Sequence, residues 1–143
     1  ANMLIEPVEL KAAMATGTLV LDARADGAFE RGHIPGAVPF STYDVFVPDT
    51  TVEGMTAFAT DMAGRFSVAG ATLERPIVVY DDDTGMRAAR ELWILEFLGH
   101  RKARMLHGGF RQWVAERGPV VADSEVPTVR SKRFQTSIAS KSL

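Results

Sequence analysis

Two short apolar runs that each end in a carboxylate constrain the fold of this chain most strongly. Residues 18–22 read Thr-Leu-Val-Leu-Asp, and residues 76–81 read Pro-Ile-Val-Val-Tyr-Asp. Nearly continuous apolar runs of this length are typical of parallel strands that are buried on both faces of a sheet. Patterns with helical spacing follow both runs, and strands that alternate with helices predict an α/β domain with parallel crossovers.

The other elements are predicted from their start and stop signals. Pro7 suits a first helical turn, and apolar residues then recur at helical spacing until Gly17. Thr50 and Glu53 have the spacing of a capping box, which predicts a helix over 51–66. The remaining predicted elements are a helix over 25–31, an extended piece over 37–39, a helix that ends at Gly99, a strand over 103–106 and a last helix after Gly109. We therefore expect a central, mostly parallel sheet that is flanked by helices on both faces.

The length of the chain bounds the number of domains. A chain of 143 residues is long enough for one domain with a real core and too short for two ordinary domains. We expect this domain to cover residues 1–121. Residues 122–143 are rich in Ser, Thr, Lys and Arg without a sustained apolar period, which indicates a tail or an interdomain linker.

The composition excludes several classes of function. The net charge of −2 gives no reason to expect nucleic acid as a partner, and the short basic clusters at 101–104 and 130–133 are typical of solvated surface. No apolar run approaches the ~18 residues that a membrane span needs, and the first residues do not resemble a secretory signal, so we expect a cytoplasmic protein. The chain contains no cysteine, which excludes disulfides, thiolate metal sites and a persulfide intermediate on this chain.

Residues 21–37 hold the first motif. Leu-Asp-Ala-Arg occupies 21–24, and Phe-Glu-Arg-Gly-His-Ile-Pro-Gly-Ala occupies 29–37. Asp22 ends the first buried strand. From two positions further on, Arg24 can reach a carboxylate or a carbonyl oxygen and so hold the next loop.

The three histidines are interpreted as structural residues. His33 is followed by Ile-Pro-Gly, a sequence that suits a rigid turn because Pro35 fixes φ and Gly36 takes unusual dihedral angles. We therefore expect His33 to be bonded to the backbone rather than to act in catalysis. His100 and His107 each stand beside a glycine at the boundary of an element, and the same interpretation applies to them.

The second motif begins with Val-Val-Tyr at 78–80, passes through a loop and a helix to Gly-His at 99–100, and ends with Leu-His-Gly-Gly-Phe-Arg-Gln-Trp at 106–113. Together the two motifs, in this order and spacing over roughly residues 3–117, resemble the signatures of the rhodanese family of sulfurtransferases. The matching residues are Asp22, Arg24, Gly32, His33, Pro35, Gly36, Gly108 and Gly109. The resemblance implies the rhodanese-like α/β fold.

One departure from the family concerns Arg24. The family motif usually has an acidic residue just before the aromatic residue, and this chain has Ala28 there. We therefore expect Arg24 to pair elsewhere, with Asp26 as a candidate partner.

The resemblance also identifies the reactive position of the family. In active rhodaneses a cysteine follows the second strand, and backbone N–H groups and the start of a helix lower its pKa and hold its persulfide. Asp81 stands at that position here. A carboxylate can fill the same electropositive hollow but cannot accept and pass on a sulfane sulfur, so we expect no catalytic residue, no metal and no cofactor. The active-site-like loop, slightly longer than in catalytic versions, consists of Asp81, Asp82, Asp83, Thr84, Gly85, Met86 and Arg87.

The loop most resembles the first, non-catalytic domain of tandem thiosulfate or 3-mercaptopyruvate sulfurtransferases, in which aspartate follows the strand. That resemblance implies a second rhodanese domain of the same parent chain as the partner, with the cysteine in that domain. Residues 133–138 are similar to the start of the linker in those proteins. We expect an exposed apolar patch where the second domain packs, with Trp113 or Phe110 contributing to it.

Two other functions remain open at this point. The first is a standalone, inactive rhodanese-like module that binds a partner. The second is a magnesium-dependent phosphatase, in which Asp81 would be the nucleophile and Asp83 the acid/base. That chemistry needs a downstream lysine and a further acidic pair, for which the sequence has no matching context. Adventitious binding of Mg²⁺ or Ca²⁺ at residues 81–83 is a further alternative.

Overall fold

The computed structural model describes residues 3–43, 45 and 50–122. Its named strands form one five-stranded sheet in the order β1-β5-β4-β2-β3, and every pairing between them is parallel. The strands are β1 (Leu4–Ile5), β2 (Leu19–Asp22), β3 (Val38–Pro39), β4 (Ile77–Tyr80) and β5 (Ala103–Leu106). The parallel sheet predicted from the two buried apolar runs is confirmed, and these runs form β2 and β4 beside each other in its middle.

Helices cover both faces of the sheet. They are α1 (Pro7–Met14), α2 (Ala28–Arg31), α3 (Val52–Val68), α4 (Met86–Phe97) and α5 (Gly109–Ala115). Side chains alternate across β4, so that Val79 packs with α3 and α4 in one core cluster, and Tyr80 packs with α1 and α5 in the other. This double coverage explains why both central strands are apolar along their whole length.

The observed helix starts refine the sequence predictions. The residue that caps α3 is Thr51 rather than Thr50, because the Thr51 hydroxyl accepts the N–H of Gly54 at 3.0 Å. The helix also runs two residues further than the predicted 51–66. The strand β1 was not predicted, because two residues are too few to show an alternation; Leu4 pairs with Met105 at the edge of the sheet.

Of the two residues expected as candidates for an exposed apolar patch, Trp113 does not contribute to one. Trp113 is fully buried between α5 and the sheet, and its indole N–H donates to the carbonyl of Pro119 at 2.8 Å. Phe110 is partly buried and packs against the same core cluster. Among the large apolar side chains that are exposed, three lie on one stripe of α4, at Met86, Trp93 and Phe97.

The end of the described chain returns to the domain. Val121 and His33 form an antiparallel bridge, with N–H···O distances of 2.8 and 2.9 Å. The tail or linker predicted for residues 122–143, including the linker-like residues 133–138, lies outside the described residues except for residue 122. None of the helices in the described ranges is long and apolar enough to cross a membrane.

Candidate functional site

The candidate site lies where the parallel strands end. Asp22 and Tyr80 are paired residues at the carboxyl ends of β2 and β4. The loops that follow these strands, and the Gly108–Gly109 turn that follows β5, meet at one edge of the sheet because all the strands run in the same direction. The fold therefore brings together the two sequence motifs, which are far apart in the chain.

The side chain of Asp81 is buried inside its own loop. Its residue is 3% exposed, and its carboxylate accepts the N–H of Gly85 at 3.1 Å and that of Ala88 at 2.9 Å. Gly85 is the residue immediately before α4, and Ala88 is in the first turn of that helix. The amino end of a helix attracts negative charge, and its first N–H groups have no partner within the helix. The carboxylate of Asp81 thus lies in an anion-binding hollow at the start of α4 and accepts two of the backbone N–H groups that line it.

The Gly108–Gly109 turn places a second helix start against the same loop. The N–H of Phe110 donates to the carbonyl of Asp81 at 2.8 Å, and that of Arg111 donates to the carbonyl of Asp82 at 2.9 Å. A Cβ at Gly109 would lie 2.7 Å from both of these carbonyl oxygens, and the φ of Gly109 is +64°. Glycine is required there because any side chain would push α5 away from the loop.

The other acidic residues of the loop do not converge with Asp81. Asp82 and Asp83 are exposed, and Asp83 lies 3.5 Å from the guanidinium of Arg111. Over the described ranges, no cluster of three or more His, Cys, Asp or Glu side chains could hold a metal ion. The carboxylate that follows β4 is also held by backbone donors, so the geometry offers no support for the paired carboxylates of a magnesium-dependent phosphatase.

The remaining loop residues connect the site to the segment before α3. Thr84 is exposed and its hydroxyl accepts the N–H of Met86 at 3.3 Å. The guanidinium of Arg87 lies 4.5 Å from the ring centre of Tyr43, and it donates to the hydroxyl of Ser41 at 3.3 Å. This cation–π contact holds the end of the active-site-like loop against the segment that precedes α3.

A buried network holds the first motif beneath this loop. The carboxylate of Asp22 accepts a hydrogen bond from Nη2 of Arg24 at 2.7 Å and another from the hydroxyl of Tyr80 at 2.8 Å. Arg24 also donates to the carbonyl of Gly32. The expected pairing of Arg24 with Asp26 is therefore wrong. Both carboxylates are two residues from Arg24, and the buried one, Asp22, takes the guanidinium, whereas Asp26 is exposed.

The charges of this network change the affinity of its members for protons. Burial alone would lower the pKa of Arg24, but its hydrogen bond and charge interaction with Asp22 outweigh burial and raise that pKa. Burial and the neighbouring charge of Asp22 raise the pKa of Tyr80 far above its ordinary value, so its hydroxyl stays protonated and donates. Arg24 also lies 4.1 Å from the ring centre of Phe110, which links the network to the start of α5.

The Gly-His-Ile-Pro-Gly sequence forms a turn, as its composition predicts. The N–H of Ala37 donates to the carbonyl of Ile34 at 3.0 Å, with Pro35 and Gly36 between them and a φ of +83° at Gly36. This is the pattern of a turn that needs proline and then glycine at its centre. His33 is buried and its Nδ1 lies 2.8 Å from the carbonyl of Phe29, so it is bonded to the backbone as expected.

The other motif residues lie at the surface or at packing contacts. A Cβ at Gly32 would lie 3.1 Å from a methyl group of Val120, so glycine gives the returning chain room. His107 is half exposed and its Nδ1 lies 2.9 Å from the carboxylate of Glu6. This contact with a side chain differs from the backbone bond expected by analogy with His33.

Sequence reasoning missed one buried group near the site. Glu91 is 0% exposed, and its carboxylate accepts the N–H of Thr42 at 2.7 Å and the hydroxyl of Thr42 at 2.8 Å. The neighbouring Arg90 donates to the carbonyls of Thr42 and Val45. Burial raises the pKa of Glu91, although the bonds from Thr42 act in the opposite direction. The available signal was the position of this acid among the apolar residues of the buried face of α4, one turn from Ala88 and Leu95.

Comparison with known proteins identifies relatives of this architecture. The family model described as the rhodanese-like domain matches residues 6–116. Thiosulfate sulfurtransferase of Azotobacter vinelandii is 29% identical over 126 residues, which cover 87% of this chain and 46% of that enzyme. The 3-mercaptopyruvate sulfurtransferase of Mus musculus is 38% identical over 110 residues, which cover 69% of this chain and 33% of that enzyme. The chain therefore spans less than half the length of these curated relatives.

Solved structures agree with the fold. The 3-mercaptopyruvate sulfotransferase SseA from Escherichia coli matches with a TM-score of 0.67 at 22% identity, over 93% of this chain and 57% of that chain. The 3-mercaptopyruvate sulfurtransferase from Leishmania major matches with a TM-score of 0.69 at 18% identity, over 94% of this chain and 40% of that chain. These likenesses show that the parallel sheet and its helices have the rhodanese arrangement.

Proposed function

From the premise that this chain belongs to the rhodanese-like domain family, we propose that it is the non-catalytic type of domain of a two-domain thiosulfate or 3-mercaptopyruvate sulfurtransferase. The observation that carries this proposal is the carboxylate of Asp81 in the hollow at the start of α4. In the proposed parent enzyme, the second domain provides the cysteine and this domain has a structural or regulatory role.

The chemistry of sulfur transfer explains why the domain should be inactive alone. A thiolate attacks the outer sulfur of thiosulfate, a new S–S bond forms, the old S–S bond breaks, and sulfite leaves with the electron pair. Cyanide then takes the outer sulfur and releases the thiolate. Asp81 offers only carboxylate oxygens, which cannot hold sulfur as a stable persulfide, and the chain has no cysteine elsewhere.

Two further observations support a second domain as the partner. The chain covers 46% and 33% of the length of the two sulfurtransferases described above, which leaves room in such proteins for another domain. The stripe of Met86, Trp93 and Phe97 on α4 is exposed in this chain. Exposed apolar side chains on one helix face are typical of a surface that packs against another domain.

The direct test is a thiosulfate:cyanide sulfurtransferase assay. We expect no turnover from this chain. We also expect Asp81→Cys to form little thiocyanate, because the loop differs in length from that of catalytic rhodaneses as well as in its nucleophile. Asp82→Cys is the matched control, since it places a thiol on the exposed side of the same loop. Rapid thiocyanate formation by the wild-type chain would contradict the expectation that the domain is inactive. Rapid formation by Asp81→Cys and not by Asp82→Cys would contradict the expectation that the loop itself prevents activity.

The two-domain arrangement has its own test. The reading frame that encodes this sequence should also encode a second rhodanese domain, with cysteine directly after its central strand. We expect the two-domain protein to transfer sulfur from thiosulfate and to lose this activity when that cysteine is changed to serine. A reading frame with one rhodanese domain only would favour the alternative of a standalone binding module.

A further inference from the structure

A cavity of about 480 Å³ lies at the edge of the sheet opposite to the Asp81 loop. Pro76, directly before β4, and Ala103, the first residue of β5, both line it. Because β4 runs parallel to β5, these residues mark the amino ends of the strands, whereas Asp81 follows the carboxyl end of β4. Four residues of β4 separate the two edges, a distance of about 13 Å at the usual rise of a strand.

The lining combines an apolar wall with a surplus of cations. Leu92 of α4 lines the cavity together with Pro76 and Ala103. Three basic residues line it as well, namely Arg101, Lys102 and Arg104, against one acidic residue, Glu96. The volume falls within the range of small-molecule sites, which are mostly apolar with a few polar groups that orient the ligand.

Within the described residues, two of the three basic side chains have no carboxylate to neutralise them, namely Arg101 and Arg104. The third, Lys102, pairs with the exposed carboxylate of Glu74 at 3.7 Å and donates to the carbonyl of Glu74 at 3.3 Å. Successive residues of a strand point to opposite faces, so Arg104 contributes mainly to the local positive potential. Arg101 and Lys102, in the turn before β5, are placed to meet a ligand directly.

His100 makes this turn rigid. Its Nε2 lies 3.1 Å from the carbonyl oxygen of Thr72 and 3.0 Å from that of Arg75, and its Nδ1 lies 3.0 Å from the backbone nitrogen of Lys102. Carbonyl oxygens only accept and a backbone N–H only donates, so His100 is neutral with its hydrogen on Nε2. Its burial lowers its pKa and favours the same neutral form. The two basic residues that follow are therefore held on a fixed turn.

We propose that this cavity binds a small organic anion, with the anionic head group at Arg101 and Lys102 and an apolar body against Leu92, Pro76 and Ala103. The ligand class follows from the surplus of cations over carboxylates in the lining, beside an apolar wall. Phosphate, sulfate and carboxylate head groups share this chemistry. This inference is independent of the sulfurtransferase proposal, since it uses residues at the other edge of the sheet.

The test is a titration with phenyl phosphate, with inorganic phosphate and phenol as separate arms, followed by amide NMR shifts and calorimetry. We expect saturable binding of phenyl phosphate, with the largest shifts at residues 100–104, and weaker binding of either fragment alone. Arg101→Gln should weaken binding about fivefold, the effect of losing one largely exposed charge pair. Arg111→Gln removes the same charge at the Asp81 edge and should leave the affinity unchanged.

Three results would overturn the inference. The first is a lack of saturable binding of phenyl phosphate to the folded wild-type protein. The second is equal weakening by Arg101→Gln and Arg111→Gln, or shifts centred on the Asp81 loop, either of which would place the ligand elsewhere. The third is binding of phenol as tight as that of phenyl phosphate, which would show that the cations contribute nothing. Sulfurtransferase activity is not measured in any arm, so the outcome does not depend on Asp81.

Discussion

The guanidinium of Arg24 is bonded to the carboxylate of Asp22, with Nη2 2.7 Å from Oδ2, and both side chains are almost fully buried. The same oxygen accepts the hydroxyl of Tyr80, and that hydroxyl in turn accepts the N–H of Ile34. Through these bonds, one ion pair connects the ends of β2 and β4 to the turn of the first motif. Because the polar groups of this buried network are hydrogen-bonded to one another, the network stabilises one arrangement of the loops over others.

Breaking this pair should destabilise the domain strongly. Arg24→Met leaves the carboxylate of Asp22 buried without its charge partner, so we expect a loss of about 3–5 kcal/mol in the free energy of unfolding. Urea denaturation measures it. Arg65→Met is the matched control, because Arg65 pairs with Asp61 at an exposed site and such pairs contribute about 0–1 kcal/mol. Equal losses in the two variants would show that the buried pair contributes no more to the free energy of unfolding than an exposed pair does.

Asp81 should stabilise the start of α4. Asp81→Ala removes the acceptor of two backbone N–H groups, at Gly85 and Ala88, and we expect a loss of about 1–2 kcal/mol, as for other helix caps. Amide hydrogen exchange at these two residues should become faster. Asp82→Ala, in an exposed position of the same loop, should change neither quantity. Unchanged exchange in Asp81→Ala would contradict the role of the carboxylate in the loop.

Two glycines with positive φ should respond differently to alanine. Gly36→Ala meets no atom within 4 Å, so it costs only the strain of a left-handed backbone, about 1–2 kcal/mol. Gly109→Ala adds a Cβ at 2.7 Å from the carbonyl oxygens of Asp81 and Asp82, and we expect a clearly larger loss of stability. Thermal unfolding of the two variants compares them directly. Similar melting temperatures would mean that α5 moves away from the loop at little cost.

Glu91 should make the stability depend on pH. Its pKa in the folded protein is raised above the ordinary 4.5, so the folded state binds this proton more tightly than the unfolded state. The resulting stabilisation is complete below pH 4.5 and is lost as the pH rises through the folded-state pKa. Glu91→Gln does not titrate, so the stability of the wild type minus that of the variant should fall with rising pH.

Chemical denaturation at a series of pH values measures this difference. Glu96→Gln is the control on the same helix, because Glu96 is exposed. The same measurement on Glu96→Gln shows how much of any change with pH comes from removing a carboxylate from α4 in general. A flat difference between the wild type and Glu91→Gln would refute the pH dependence.

The sequence predicted the sheet well because its central strands are buried on both faces. A strand of this kind has to be apolar throughout, so β2 and β4 stand out without any knowledge of their neighbours. Position 81 was predicted as the residue of interest from the motif around it. The structure adds that its carboxylate is bonded to the loop itself, a detail that depends on the path of the backbone from Asp81 to Ala88.

The missed features depend on contacts between distant residues. Thr42 and Glu91 are 49 positions apart, and no local sequence pattern predicts the hydrogen bond between them. The sequence left open whether Trp113 lies in the core or on a docking surface. Helical spacing shows that α5 has an apolar face but does not show how much of it the rest of the chain covers. The partner of Arg24 was predicted wrongly because Asp22 and Asp26 are both two positions from it, and sequence distance does not show which of the two is buried beside the guanidinium.

The antiparallel bridge between Val121 and His33 bears on where this polypeptide can be cut for expression. The carbonyl that receives the indole N–H of Trp113 belongs to Pro119, and the two bonds of the bridge come from Val121. A version shortened to Gly118 would keep every named strand and helix, yet it would uncover a buried tryptophan. Shortened versions for crystallography should therefore retain the residues through Val121, so that Trp113 stays buried and the protein does not aggregate through it.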